Sequence, residues 1–155
     1  MPKAARKRKV ATPKLPMQRQ FAFADPALGQ GRYFDLRKVF DKLNARYFGG
    51  RLRRYTILWG RKRDQRPKDY IVFGTIQEDD RVIRVHPLLD QRFVPTWFLE
   101  YVVYHEMLHA VVPDRWDDNG RRRVHHEEFY EREREFRWFR RAKAWEEENL
   151  ARFLR

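Results

Sequence analysis

The order of periodic segments predicts an α+β fold: a small three-stranded antiparallel or mixed sheet packed with a preceding helix, a central helix and a long C-terminal helix. Three observations carry that expectation. Apolar residues recur at helical spacing between Leu36 and Tyr47, three short β-rich runs follow between Tyr55 and Val85, and helical periodicity returns from Thr96 onward. The first helix has both of its boundary signals. Asp35 is placed to cap its N-terminus, Leu36, Val39, Phe40, Leu43 and Tyr47 form its apolar face, and Gly49-Gly50 supplies a left-handed stop. Tyr55–Trp59 reads as the first strand. Tyr70–Ile76 and Arg81–Val85 read as a hairpin across the turn Gln77-Glu78-Asp79-Asp80. The segment from Thr96 to Val112 is apolar nearly all round, as a helix buried on several sides would be, and Pro113 closes it. A polar loop with Asp114, Asp117, Asp118, Asn119 and Gly120 follows. From about Val124 to the C-terminus the pattern reads as one long charged helix.

A chain of 155 residues is the length of one domain, and it divides here into a disordered basic arm over 1–30 and a folded domain over 31–155. The arm lacks apolar periodicity and carries Pro2, Pro13, Pro16 and Pro26. Its first twenty residues hold Lys3, Arg6, Lys7, Arg8, Lys9, Lys14 and Arg19 with no acid, so they contribute +7 of the net +13. That asymmetry predicts contact with a polyanion such as nucleic acid, against the alternative of a solubilising tail. Cysteine is absent, which excludes a disulfide framework, a thiolate zinc ribbon and a thiol nucleophile; any metal must be held by His, Asp or Glu. No apolar run reaches the roughly 18 residues of a membrane span, and no secretory signal opens the chain. The expectation is a cytoplasmic monomer, with association to the nucleoid as an alternative site of action.

Chemistry concentrates in the central helix, at His105-Glu106-Met107-Leu108-His109. Four steps of about 100° return His109 to within about 40° of His105, one turn along, where both imidazoles reach a single Zn²⁺. Glu106 lies at the edge of that face, placed to take a proton from the attacking water. In a shuffled chain of this composition the motif arises about once in ninety sequences. A catalytic zinc takes three protein ligands, and three other histidines exist: His86, His125 and His126. On a helical wheel started at His125, Phe129 and Phe136 fall within about 40°, whereas His126 falls at about 100° on the polar side. His125 is therefore the expected third ligand. Glu127, Glu128 and Glu131 remain open as carboxylate alternatives. His86, before Pro87, reads as a partly buried structural histidine. The metzincin extension is excluded, because Val112 and Arg115 stand where it requires Gly and His.

These residues resemble the SprT-like metallopeptidases, the group that includes the Spartan proteases of DNA–protein crosslink repair. The similarity runs from about Phe34 to Phe139. It rests on LNARYFGGRL from Leu43 to Leu52, Ile57-Leu58-Trp59, Ile83 to Leu89, Tyr104 to Ala110, and His125-His126-Glu127-Glu128-Phe129. The resemblance implies a zinc-dependent peptidase acting on protein or peptide substrates, DNA-associated proteins among them. In the family a histidine four residues before a phenylalanine supplies the third ligand, which is His125 before Phe129 here. The chain departs from the family where His126 replaces the usual Gly, and in lacking the Cys-rich ribbon that many members carry.

Three further expectations complete the reading. Trp138 and Trp145 lie opposite the apolar stripe and are expected to pack on another element, the first helix being the candidate, rather than to stack on nucleobases. Glu131 to Glu135 reads as a solvated face of alternating sign. Tyr104, Tyr130 and the loop arginines are the candidate oxyanion donors. The competing function is a nucleic-acid-binding module whose zinc is structural, closed by His126 or an aspartate from 114–118. Glu106 discriminates against it, since a structural site has no use for a carboxylate there.

Overall fold

The computed structural model describes residues 26–155, and the expected basic arm over residues 1–25 lies outside the described residues. The rest of that arm is placed: Pro26–Gly29 form a 3-10 turn, and Gln30 bridges to Asp35. The turn is held to the sheet by the Trp59 indole, which donates to the Gly29 carbonyl at 3.1 Å.

Helix α1 spans Leu36–Tyr47. Asp35 caps it, accepting from the amides of Arg37 and Lys38 at 3.0 and 3.3 Å, which satisfies two of the amides a helix start leaves open. Gly49 and Gly50 adopt φ of 58° and 71°, and the Gly50 amide returns to the Asn44 carbonyl. Strands β1 (Thr56–Trp59), β2 (Gly74–Gln77) and β3 (Val82–Val85) form a mixed sheet in the order β1-β3-β2. β2 and β3 are the expected hairpin, while β1 runs parallel to β3 with Ile57 opposite Ile83. The β2 strand is shorter than the apolar pattern implied, starting at Gly74 rather than Tyr70. Period 2 turns Ile83 and Val85 inward and leaves Arg84 outside.

Under the sheet lies α2, Thr96–His109, with ten of its fourteen residues buried. That accounts for its nearly uniform apolar pattern. It ends three residues before the expected Val112, because Ala110, Val111 and Val112 tighten onto the carbonyls of Met107 and Leu108 ahead of Pro113. Lys42 of α1 reaches the buried Glu100 carboxylate at 2.6 Å, tying α1 to α2. The expected polar loop contains a two-residue ladder, β4 (Arg115–Trp116) with β5 (Arg122–Arg123), turned at Gly120 with φ of 73°.

The segment expected as one long helix is two: α3, Glu127–Arg134, and α4, Phe139–Asn149. Between them the amides of Glu135, Phe136 and Phe139 bond three residues back rather than four. Neither Pro nor Gly marks the break. Its cause is packing: the turn seats Phe136 against Tyr47, Tyr101 and Tyr104, while α4 brings Trp145 within 4.4 Å of Phe98. Trp145 packs on α2 and on Phe93 and Phe153, so the expected partner, α1, is corrected to α2. Trp138 carries the guanidinium of Arg141 over its ring. No helix among the described residues is long and apolar enough to cross a membrane.

Candidate metal centre

Helix α2 carries His105 and His109 one turn apart with ring centres 5.1 Å from each other. Because the helix is locked under the sheet, the direction of both rings is set by the core. The chain then leaves at Pro113 and returns twelve residues later with His125. Three contacts fix that return: the His126 ring donates from Nε2 to the Pro113 carbonyl at 2.9 Å, Arg122 pairs with Asp114, and Arg115 with Glu128 at 2.5 Å. His125 Nε2 thereby lies 3.1 Å from His105 Nε2 and 3.1 Å from His109 Nε2. The three rings stand around the fully buried Phe129, whose centroid is 5.0, 4.5 and 4.9 Å from His105, His109 and His125.

These residues fit a metal ion. Nitrogens about 2.0–2.1 Å from a tetrahedral centre stand about 3.3 Å apart, close to the separations here. The donor chemistry points the same way. His105 Nδ1 lies 2.7 Å from Glu133 Oε2, and a proton held between them leaves the lone pair on Nε2. His125 Nε2 can donate one proton at most, so its two 3.1 Å contacts cannot both be satisfied by hydrogen bonds. A cation shared by three lone pairs satisfies them all. Burial, with His105 and His125 alongside, lowers the His109 pKa to about 4; burial and His105 lower that of His125. Both rings are therefore neutral, as ligation requires, at physiological pH.

Among the described residues, the clustered donors are His105, His109 and His125, with no fourth His, Asp or Glu joining them. His126 is half-buried, with Nε2 bonded to the Pro113 carbonyl and the buried Nδ1 unpaired, and it does not join the cluster. Glu128 is taken by Arg115, and Asp114 by Arg122. His86 sits apart, capping the 3-10 turn Pro87–Leu89 by accepting from the Leu88 amide at 3.1 Å. The position of His125 has a different origin from the helical wheel. The residue precedes α3 instead of lying on it, and the turn before Glu127 delivers it.

Glu106 is 6% exposed and faces β2. A Cβ at Gly74 would lie 2.9 Å from its Cγ and 3.0 Å from its Oε1, so a residue without a side chain makes room for this carboxylate. Burial raises its pKa to about 7, against the opposing pull of His105. Beside His109 opens a cleft of about 360 Å³ between the end of β2 and the 113–124 segment. Its rim holds Glu78, Asp79, Asp80 and Asp114, with Arg122 the one cation among the described residues that line it. Burial and the neighbouring Asp114 and Asp79 push the Glu78 carboxyl up. The cleft is thus acidic on a chain of net charge +13.

Two expectations need correction. Tyr104 is buried and donates to the Arg132 carbonyl at 2.7 Å, which removes it as an oxyanion donor. Tyr130 stays exposed with its ring centre 6.4 Å from that of His125. The charged run Glu131 to Glu135 is not all solvated, for Glu133 is 5% exposed and bonded to His105. One signal for it exists in the sequence: Glu133 lies four residues after Phe129 and three before Phe136, on the same stripe. No protein-family model, no curated protein and no solved structure matches the chain.

Proposed function

We propose that this chain is a zinc-dependent metallopeptidase of the SprT-like kind, with His105, His109 and His125 holding Zn²⁺ and Glu106 as general base. The observation that carries the reading is the convergence of three imidazole nitrogens with a buried, adjacent carboxylate and, among the described residues, no fourth protein donor. A structural zinc calls for four protein ligands, whereas a catalytic one keeps a position open. When bound, the ion supplies Lewis acidity and brings the pKa of a coordinated water to about 7. Glu106 takes the proton of the attacking water and returns it to the leaving amine. Gly74 keeps the carboxylate free to do so, since no side chain from β2 fills the space it uses.

The geometry of the cleft also favours a polypeptide as the occupant. β2 is the edge of the sheet, and an extended peptide adds to such an edge through main-chain hydrogen bonds. With Asp114 paired to Arg122, Glu78, Asp79 and Asp80 leave the rim acidic, which disfavours a nucleic acid in the cleft itself. Contact with nucleic acid falls instead to the basic arm.

Replacing Glu106 by Gln tests the mechanism. The variant is expected to bind one equivalent of zinc and melt like the wild type, yet to lose peptide hydrolysis by a factor of about 10² or more. Wild-type rates in Glu106→Gln would reject Glu106 as the base.

A further inference from the structure

We infer that Glu133 is a positioning residue that fixes the tautomer and aim of His105, an inference that rests on the metal site proposed above. The carboxylate accepts two hydrogen bonds: from the His105 ring at Nδ1, 2.7 Å away, and from the Tyr101 hydroxyl at 3.1 Å. Both partners come from α2, whereas Glu133 comes from α3. Burial and the facing Glu133 push the Tyr101 phenol up, so it stays a donor. The Tyr101 hydroxyl already donates to Oε1, so the carboxylate faces His105 as an acceptor and the proton between Glu133 and His105 sits on Nδ1.

Three consequences follow for the site. The lone pair of His105 is confined to Nε2, the atom 3.1 Å from His125 Nε2. The ring cannot turn over without breaking a buried bond to a charged group, which is among the stronger kinds of hydrogen bond. And negative charge on the far side of the ring raises the donor strength of Nε2. Tyr101 plays the supporting part, holding Oε1 so that Oε2 faces the histidine. The arrangement also gives α3 two tasks. His125 enters directly ahead of the helix and Glu133 lies near its end, so docking of one helix sets two of the three ligands.

Long-range ¹⁵N correlation spectra of the metal-free full-length protein read the tautomer directly. The expected result is a protonated Nδ1 and a bare Nε2 for His105; a protonated Nε2 with a bare Nδ1 in the wild type overturns the inference without any variant. Competition between the protein and a chromophoric chelator for Zn²⁺ gives the second readout. Glu133→Gln is expected to bind zinc about 10- to 100-fold more weakly. Its His105 should also populate the other tautomer, and Glu133→Asp should recover part of the affinity. Tyr101→Phe should keep the tautomer and lose less affinity. Wild-type affinity and an unchanged tautomer in Glu133→Gln would reject the positioning role. Absence of zinc binding in the wild type itself would reject the metal site instead, and the tautomer spectrum would still report on Glu133.

Discussion

At the scale of single residues, the site depends on one missing side chain as much as on the side chains present. Gly74 faces Glu106 across the gap between β2 and α2, where any Cβ would fall at 2.9 Å from Glu106 Cγ. That is closer than carbon atoms pack, and the displaced group would be the flexible carboxylate rather than the backbone. Gly74→Ala is therefore expected to fold and to bind zinc as the wild type does. Its peptidase rate should fall by about 10²-fold, the cost of moving a reacting group by about an ångström. Steady-state hydrolysis measured beside zinc titration checks this, and an undiminished rate would mean that Glu106 does not work from the position seen here. His105, Glu106 and His109 were legible in the sequence because a helix converts their spacing into a shared face. Glu133 was masked: its place on the Phe129–Phe136 stripe is overridden by alternating Glu and Arg from 131 to 135, which has the signature of a solvated surface.

At the scale of elements, α1 was legible in full: cap, apolar face and glycine stop are each local signals, and each is used. The division of the C-terminal segment into α3 and α4 was not. Glu135 to Trp138 contains no helix breaker, and the turn is imposed by what Phe136 and Trp145 pack against, which is tertiary information. The wheel drawn through that segment selected His125, but the residue precedes the helix, and the turn before Glu127, which no wheel describes, brings it to the other two rings. Phe129 joins this packing to the site. It is fully buried and touches all three histidine rings. Phe129→Ala is expected to cost about 3–5 kcal/mol in denaturant unfolding of the metal-free protein, as removal of a buried phenylalanine does. It should weaken zinc binding as well, since the rings lose the surface that separates them. A loss under about 1 kcal/mol would show that the triad stands without this support.

At the scale of the whole molecule, charge is unevenly divided along the chain. The first twenty residues carry +7, and the cleft beside His109 is acidic. The arm is expected to bind nucleic acid without reading its sequence, since neutralising phosphates requires charge but no fixed surface. Affinity should fall with salt at a log–log slope of about −0.9 per phosphate contacted on duplex DNA, and deleting residues 1–20 should flatten that slope while leaving zinc content unchanged. Equal affinity and slope with and without the arm would assign it to solubility alone. The central claim, however, is that the chain holds its metal with three histidines and leaves one position to solvent and substrate. X-ray absorption at the zinc edge of the loaded protein measures that shell directly. Three imidazole nitrogens at about 2.0–2.1 Å and one solvent oxygen are expected. A shell closed by a fourth protein ligand, or one lacking the His125 imidazole, would contradict it.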